Sequence, residues 1–251
     1  MNMDNRKKPS RGIYLLPNLF TTGCLFSGFY AILSAMSGQF EQAAIAIFVA
    51  MILDGLDGRV ARLTNTASEF GVEYDSLADM VSFGLAPALI MYMWALQDLG
   101  KLGWAVAFTY VACTALRLAR FNTQAEVADK KFFQGLPSPS AAGVVAGLIW
   151  MSVVNDLTGE DVRVLAVLAT FIAGAVMVSN FRYYSFKDVD FKGKVPFVTI
   201  LLLVLVFGFI LLDPPQVLFA AFFIYMLSGP ILTLWGIRQK RLLRRQEADN
   251  E

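Results

Sequence analysis

The chain has 251 residues, of which 57% are hydrophobic and 16% charged, with a formal net charge of +1. A soluble domain usually carries about 25% charged residues, so this composition excludes one and describes a polytopic protein in lipid. There is no histidine, which rules out a Ser-His-Asp triad, a histidine zinc site and phospholipase D-like His-Lys-Asp chemistry, and leaves catalysis to carboxylates and cations.

Residues 1–12 are polar and basic, and the apolar run 15–36 that follows is too long for the core of a cleaved signal peptide, so it is read as the first span. A second span starts at Ala43 and runs through Leu53 into the polar stretch LDGLDGRVARL. The third is expected from about Asp75 to Leu96 and the fourth from Leu102 to Leu118, ending in RLARFN. Pro137 and Pro139 break the chain before a short Ala- and Gly-rich fifth span, 141–154. Spans six to eight are 162–178, 195–212 and 217–237, with Pro214 and Pro215 separating the last two. The expected fold is therefore all-α, a bundle of about eight transmembrane helices in a single membrane domain, each helix near the roughly 20 residues that cross a bilayer. Cys24 and Cys113 both fall inside apolar runs, where they read as small buried hydrophobes and not as a disulfide framework. Gly143 and Gly147 form a small-xxx-small pair that suits either close packing within the chain or a homodimer face.

Lysine and arginine orient the bundle, because they concentrate on the cytosolic side. With both termini cytosolic, that side collects Arg6, Lys7, Lys8 and Arg11; Arg59 and Arg62; Arg117, Arg120, Lys130 and Lys131; Arg182, Lys187, Lys192 and Lys194; and five more from Arg238 onward. Only Lys101 and Arg163 of the 21 remain outside. The charged residues 239–251 then anchor the cytosolic side, and the chain is placed in a cytoplasmic (inner) membrane with its polar motifs facing the cytosol.

Asp54 and Asp57 are three residues apart, and Asp75 and Asp79 four, so on helices each pair shares a face. Aspartate at mid-membrane costs roughly 2.5–3.5 kcal/mol on insertion scales, and like charges at this spacing repel. Divalent cations relieve both penalties. With only oxygen donors present, the expected ions are hard: magnesium, manganese or calcium. Two such ions in a carboxylate cluster suit phosphoryl chemistry. Arg62, one turn beyond Gly58, is placed to meet a phosphate. Gly58 and Ala61 clear side-chain bulk for a nucleotide, and Gly71 sits one turn before Asp75.

Asp54, Asp57, Gly58, Ala61, Arg62, Gly71, Asp75 and Asp79 match the signature of the CDP-alcohol phosphotransferase family in residue and spacing, eight positions across 26 residues. The resemblance implies a helical membrane enzyme that moves a phosphate-bearing group from a CDP-alcohol to a second alcohol and releases CMP. It implies further that Asp54, Asp57, Asp75 and Asp79 hold divalent metal, two ions of Mg2+ or Mn2+, that Gly58, Ala61, Arg62 and Gly71 bind the CDP moiety, and that Asp79 is the catalytic base. RLARFN at Arg117 to Asn122, FQGLPSPSAAG at Phe133 to Gly143, and eight spans in place of the family's six resemble the phosphatidylserine synthase branch. That branch implies CDP-diacylglycerol and L-serine as substrates, a six-helix core over 13–183, and two additional helices over 195–237.

Arg117, Arg120, Asn122 and Arg182 are the candidates for the serine carboxylate or the lipid phosphate, on their expected cytosolic depth. No nucleic-acid partner is expected. Two alternatives share parts of this pattern: the same chemistry with glycerol 3-phosphate or inositol as acceptor, and a divalent-cation transporter, which would instead place its carboxylates near the midplane in broken helices.

Overall fold

In the computed structural model the described residues are 15–64, 66, 68–124, 132–184 and 197–249. The basic residues Arg6, Lys7, Lys8, Arg11, Lys130, Lys131, Lys187, Lys192 and Lys194, used above to orient the chain, lie outside them.

Helix α1 (Leu15–Met36) turns at Gly38 into α2 (Phe40–Thr64), and the two pack along their lengths as an antiparallel pair. Glu69–Leu99 is one helical stretch made of several segments: α3 (Glu69–Asp79), a π-helical turn over Met80–Leu85, α4 (Ala86–Met91), a second π-helical turn over Tyr92–Leu96 and a closing 3-10 turn. Then follow α5 (Lys101–Gln124), α6 (Ser138–Val154), α7 (Arg163–Val178), α8 (Phe197–Leu212) and α9 (Pro214–Asp249). A two-stranded antiparallel ribbon, β1 (Phe132–Gln134) with β2 (Arg182–Tyr184), joins the chain after α5 to the chain after α7, with Phe133 opposite Tyr183.

Among the described residues, four helical stretches are long and apolar enough to cross a membrane: Leu16–Met36, Glu69–Leu99, Lys101–Thr123 and Pro214–Trp235. Helix α2 is 25 residues long but carries five charged residues, while α6, at 17 residues, reaches only about 25 Å at 1.5 Å per residue. The surface confirms an apolar surrounding. Phe26, Phe108, Val164, Phe207 and Leu212 are all more than half exposed, whereas the interior is lined with Ala31, Ala43, Ala44, Ala50, Ala141, Ala142 and Ala173. Small residues inside and large apolar ones outside is the distribution helices adopt when lipid, and not water, surrounds them.

Helix α6 is the hub, packed against α2, α7 and α9. Its start follows from proline chemistry: Pro139 occupies the first turn, where a missing N–H costs nothing, and Pro137 stands as the N-cap. Gly143 and Gly147 face α9, where a Cβ on Gly143 would lie 2.6 Å from the Phe222 ring and one on Gly147 would lie 3.1 Å from Phe219 Cα. That small-residue face is therefore covered from within the chain. Helix α9 also continues well beyond Ile237, as far as Asp249.

Candidate active site

The four aspartates come from the C-terminal half of α2 and from α3, elements held together by α1. Ser68 starts α3 as its N-cap and accepts a 3.1 Å hydrogen bond from Gly71 N, which satisfies one of the orphan donors of the first turn. Tyr74 meets Thr22 at 2.9 Å, so α3 is tied to α1 as well.

Immediately after Asp79 the helix widens to π geometry over Met80–Leu85, a distortion that concentrates at functional sites. The turn is pinned from two sides. Ser82 donates to Cys24 O at 3.0 Å, and Tyr110 donates to Phe83 O at 3.1 Å. Gly28 lets α1 come this close, since a Cβ there would lie 2.7 Å from Ser82 Cα.

Asp54, Asp57 and Asp75 each offer a carboxylate oxygen within 4.8 Å of the others. Asp57 is buried and receives a 2.7 Å hydrogen bond from Thr21 Oγ1. Asp79 stands outside that group of three but beside it, with Asp54, Asp75 and Arg117 as charged neighbours. Its Oδ1 is buried without a hydrogen-bond partner. An all-oxygen set of clustered carboxylates fits a hard divalent cation, and an orphaned carboxylate oxygen beside the set has a position that an ion or a proton donor would satisfy.

Along the Asp57 and Asp75 side runs a small open cleft lined by Asn18, Thr21, Gly58, Ala61, Ser68 and Gly71 among others. Three of the four residues expected to meet the CDP moiety thus share one cavity. A Cβ on Gly58 would meet nothing within 4 Å, so its bare backbone faces open space and is not a helix-packing contact. Arg62 is exposed and donates from Nε to Gly58 O at 2.9 Å, one turn back.

The four acceptor candidates are placed very differently. Arg117 is only 8% exposed, donates from Nη1 to Ser138 Oγ at 2.7 Å, and lies 5.8 Å from the Phe121 ring centroid. Asn122 donates to Ser76 Oγ at 2.9 Å, which docks the end of α5 against α3 next to Asp75. Arg120 spends its guanidinium on main chain, donating to Gln134 O at 2.9 Å and Val178 O at 3.1 Å and, at longer range, to Met177 O and Ser179 O. It caps the end of α7, where four carbonyls lack helical partners. Arg182 is exposed on β2, and its backbone N–H donates to Thr233 Oγ1 of α9 at 3.2 Å.

Asn18, Thr21, Ser68 and Ser138 are site neighbours that the sequence reading passed over. For the first two a signal existed: Asn18, Thr21 and Thr22 recur at helical spacing within an otherwise apolar span, a polar stripe that needs a polar partner. Ser138 lies within FQGLPSPSAAG, but nothing in that run points to Arg117, its partner 21 residues away.

Clustered carboxylates at a helix pair, an open glycine beside them and an apolar exterior define a membrane protein with a carboxylate-based polar site. Residues 14–179 match the family described as CDP-alcohol phosphatidyltransferase, and the chain belongs to that family. Among similar proteins, the CDP-diacylglycerol--serine O-phosphatidyltransferase of Helicobacter pylori is 39% identical over 227 residues, covering 90% of this chain and 94% of its own. Proteins of the same name from Bacillus subtilis and Mycobacterium tuberculosis are 34% identical over 172 residues and 41% identical over 155 residues. They cover 68% and 59% of this chain, and 91% and 54% of their own lengths, respectively.

Proposed function

We propose that the chain transfers the phosphatidyl group of CDP-diacylglycerol to the hydroxyl of L-serine, yielding phosphatidylserine and CMP. The observation that carries this reading is the grouping of Asp54, Asp57 and Asp75 within 4.8 Å, with Asp79 beside them, at a cleft floored by the bare backbone of Gly58. The serine relatives, similar over nine-tenths of the chain in the case of Helicobacter pylori, support the choice of acceptor.

In this reading the lipid tails lie against the apolar exterior and the cytidine enters the cleft along Gly58, Ala61 and Gly71. Asp54, Asp57, Asp75 and Asp79 would hold two divalent ions, Mg2+ or Mn2+. When bound, such ions neutralise charge on pyrophosphate oxygens. Asp79 accepts the proton of the serine hydroxyl as its oxygen bonds to the phosphorus bearing diacylglycerol. The bond from that phosphorus to the CMP oxygen breaks, and CMP departs with the electron pair. Arg62 swings from Gly58 O to a phosphate oxygen, and Arg117 is the cation for the serine carboxylate. Asn122 holds the α5 end in register. With Arg120 occupied by carbonyls and Arg182 on the ribbon, both serve the acceptor site through structure and not through contact.

The wider arrangement belongs to the same proposal: eight spans with both termini cytosolic, a core over 13–183 with two added helices over 195–237, and an inner-membrane location with the aspartates facing the cytosol. A homodimer would have to use a face other than that of Gly143 and Gly147.

Purified protein with Mn2+ and CDP-diacylglycerol, offered serine, glycerol 3-phosphate or inositol in turn, tests the reading through CMP release. Release with serine alone is the expected result. Release only with another acceptor overturns the choice of serine, and no release with any of them favours a cation transporter.

A further inference from the structure

Arg117 is buried and Asp79 half-buried, and each keeps one buried polar atom without a partner: Nε of Arg117 and Oδ1 of Asp79. Native interiors rarely leave such atoms unmet, so paired orphans of opposite charge mark a place where a ligand completes the bonding. Asp79 and Arg117 do not line the nucleotide cleft, whose aspartates are Asp57 and Asp75. They are also electrostatic neighbours of one another and of Asp54, so the unmet donor and the unmet acceptor belong to adjoining residues.

A guanidinium on a flexible stem would not hold this position unaided. What fixes it is Ser138, the fully buried first residue of α6, whose Oγ accepts from Arg117 Nη1 at 2.7 Å. Pro137 and Pro139 on either side restrict the backbone of that serine. Helix α6 is itself wedged among α2, α7 and α9, so Ser138 starts an element packed on several sides.

We propose that Ser138 is a positioning residue for acceptor recognition: by holding one edge of the Arg117 guanidinium it turns the Nε edge toward the carboxylate of an amino-acid acceptor whose hydroxyl meets Asp79. The inference rests on the serine-transfer reading above and adds the determinant of its selectivity. An acceptor with hydroxyl and carboxylate satisfies both orphans at once, and an amino alcohol lacking the carboxylate satisfies only one.

The experiment compares wild type with Ser138→Ala and Ser138→Thr, using serine and ethanolamine as acceptors with Mn2+ and CDP-diacylglycerol, and records thermal unfolding of each protein. Ser138→Ala is expected to raise KM for serine about ten- to a hundredfold, the worth of a hydrogen bond to a charged group, while KM for CDP-diacylglycerol holds. The preference for serine over ethanolamine should shrink by the same factor, and Ser138→Thr, which keeps the hydroxyl, should restore much of it. If wild type turns over serine and Ser138→Ala shows an unchanged serine KM, or a drop in kcat with the acceptor preference intact, this inference is overturned and the serine reading stands. If wild type releases no CMP with serine, the parent reading fails and this inference fails with it. A Ser138→Ala protein that unfolds early and loses affinity for both substrates alike, unrescued by Ser138→Thr, overturns the positioning role in favour of a purely structural one.

Discussion

Thr21 of α1 donates a 2.7 Å hydrogen bond to Oδ2 of Asp57 on α2, so an uncharged residue of the first helix orients one carboxylate of the central cluster. Groups that orient the ligands of a metal typically contribute ten- to a hundredfold in affinity. Thr21→Val keeps the shape and removes the donor. Titration calorimetry with Mn2+ should show affinity about 10- to 100-fold weaker, and an unchanged affinity would remove Asp57 from the ion-binding set.

In the proposed reaction Asp79 takes a proton and does not merely bind. Asp79→Asn should lower kcat by about 10²–10⁴, the usual contribution of a general base, with KM for CDP-diacylglycerol altered little. Steady-state kinetics decide it: a loss carried by KM alone assigns Asp79 to substrate binding.

Gly58 is a clean probe of where the nucleotide lies, because the protein leaves the space over its Cα empty. Gly58→Ala should leave thermal stability equal to or slightly above wild type, as alanine favours helix by about 1 kcal/mol. KM for CDP-diacylglycerol should nonetheless rise about tenfold, equivalent to roughly 1.4 kcal/mol. A variant with unchanged KM would put the cytidine elsewhere.

Arg120 and Arg117 sit one turn apart on α5 yet should fail in different ways. Arg120→Gln loses the cap on α7 and the tie to β1, and should cost about 1–3 kcal/mol of stability, seen as a lower unfolding temperature in detergent micelles. Its KM for serine should stay near wild type. A raised serine KM without loss of stability would return Arg120 to the acceptor site.

Gly143→Ala sets a methyl against the Phe222 ring. Overpacking of this kind costs about 1–3 kcal/mol. The unfolding temperature should fall while the oligomeric state in micelles stays constant. A change of oligomeric state at equal stability would point to a subunit contact at that face.

Much of the site is legible before any folding is considered. The aspartates announce themselves because charge in an apolar chain is costly, and their spacing on one face follows from helical geometry. The helix boundaries read nearly as well: the first span coincides with α1 at Leu15 and Met36, and the proline pairs mark the starts of α6 and α9. The π turns after Asp79 and Met91 carried no comparable signal, and the bonds that pin the first of them, Ser82 to Cys24 O and Tyr110 to Phe83 O, come from other helices far along the chain. The ribbon of β1 and β2 was equally invisible, being three residues a side and paired across two intervening helices.

The chemistry was readable from residue order: a bundle in lipid, oxygen-only ligands at fixed spacing, and a family signature in one uninterrupted stretch. Each of these depends on residue type and on neighbours within one or two helical turns. Tertiary structure alone decided which polar residues serve that chemistry. It gave Arg120 to the carbonyls at the end of α7, Arg117 to Ser138 and the aspartates, and Thr21 to Asp57. Two arginines three residues apart carry the same charge and the same expected depth. They part company only because α5 turns one of them toward the end of α7 and the other toward the start of α6, and no local rule records where those helix ends come to rest.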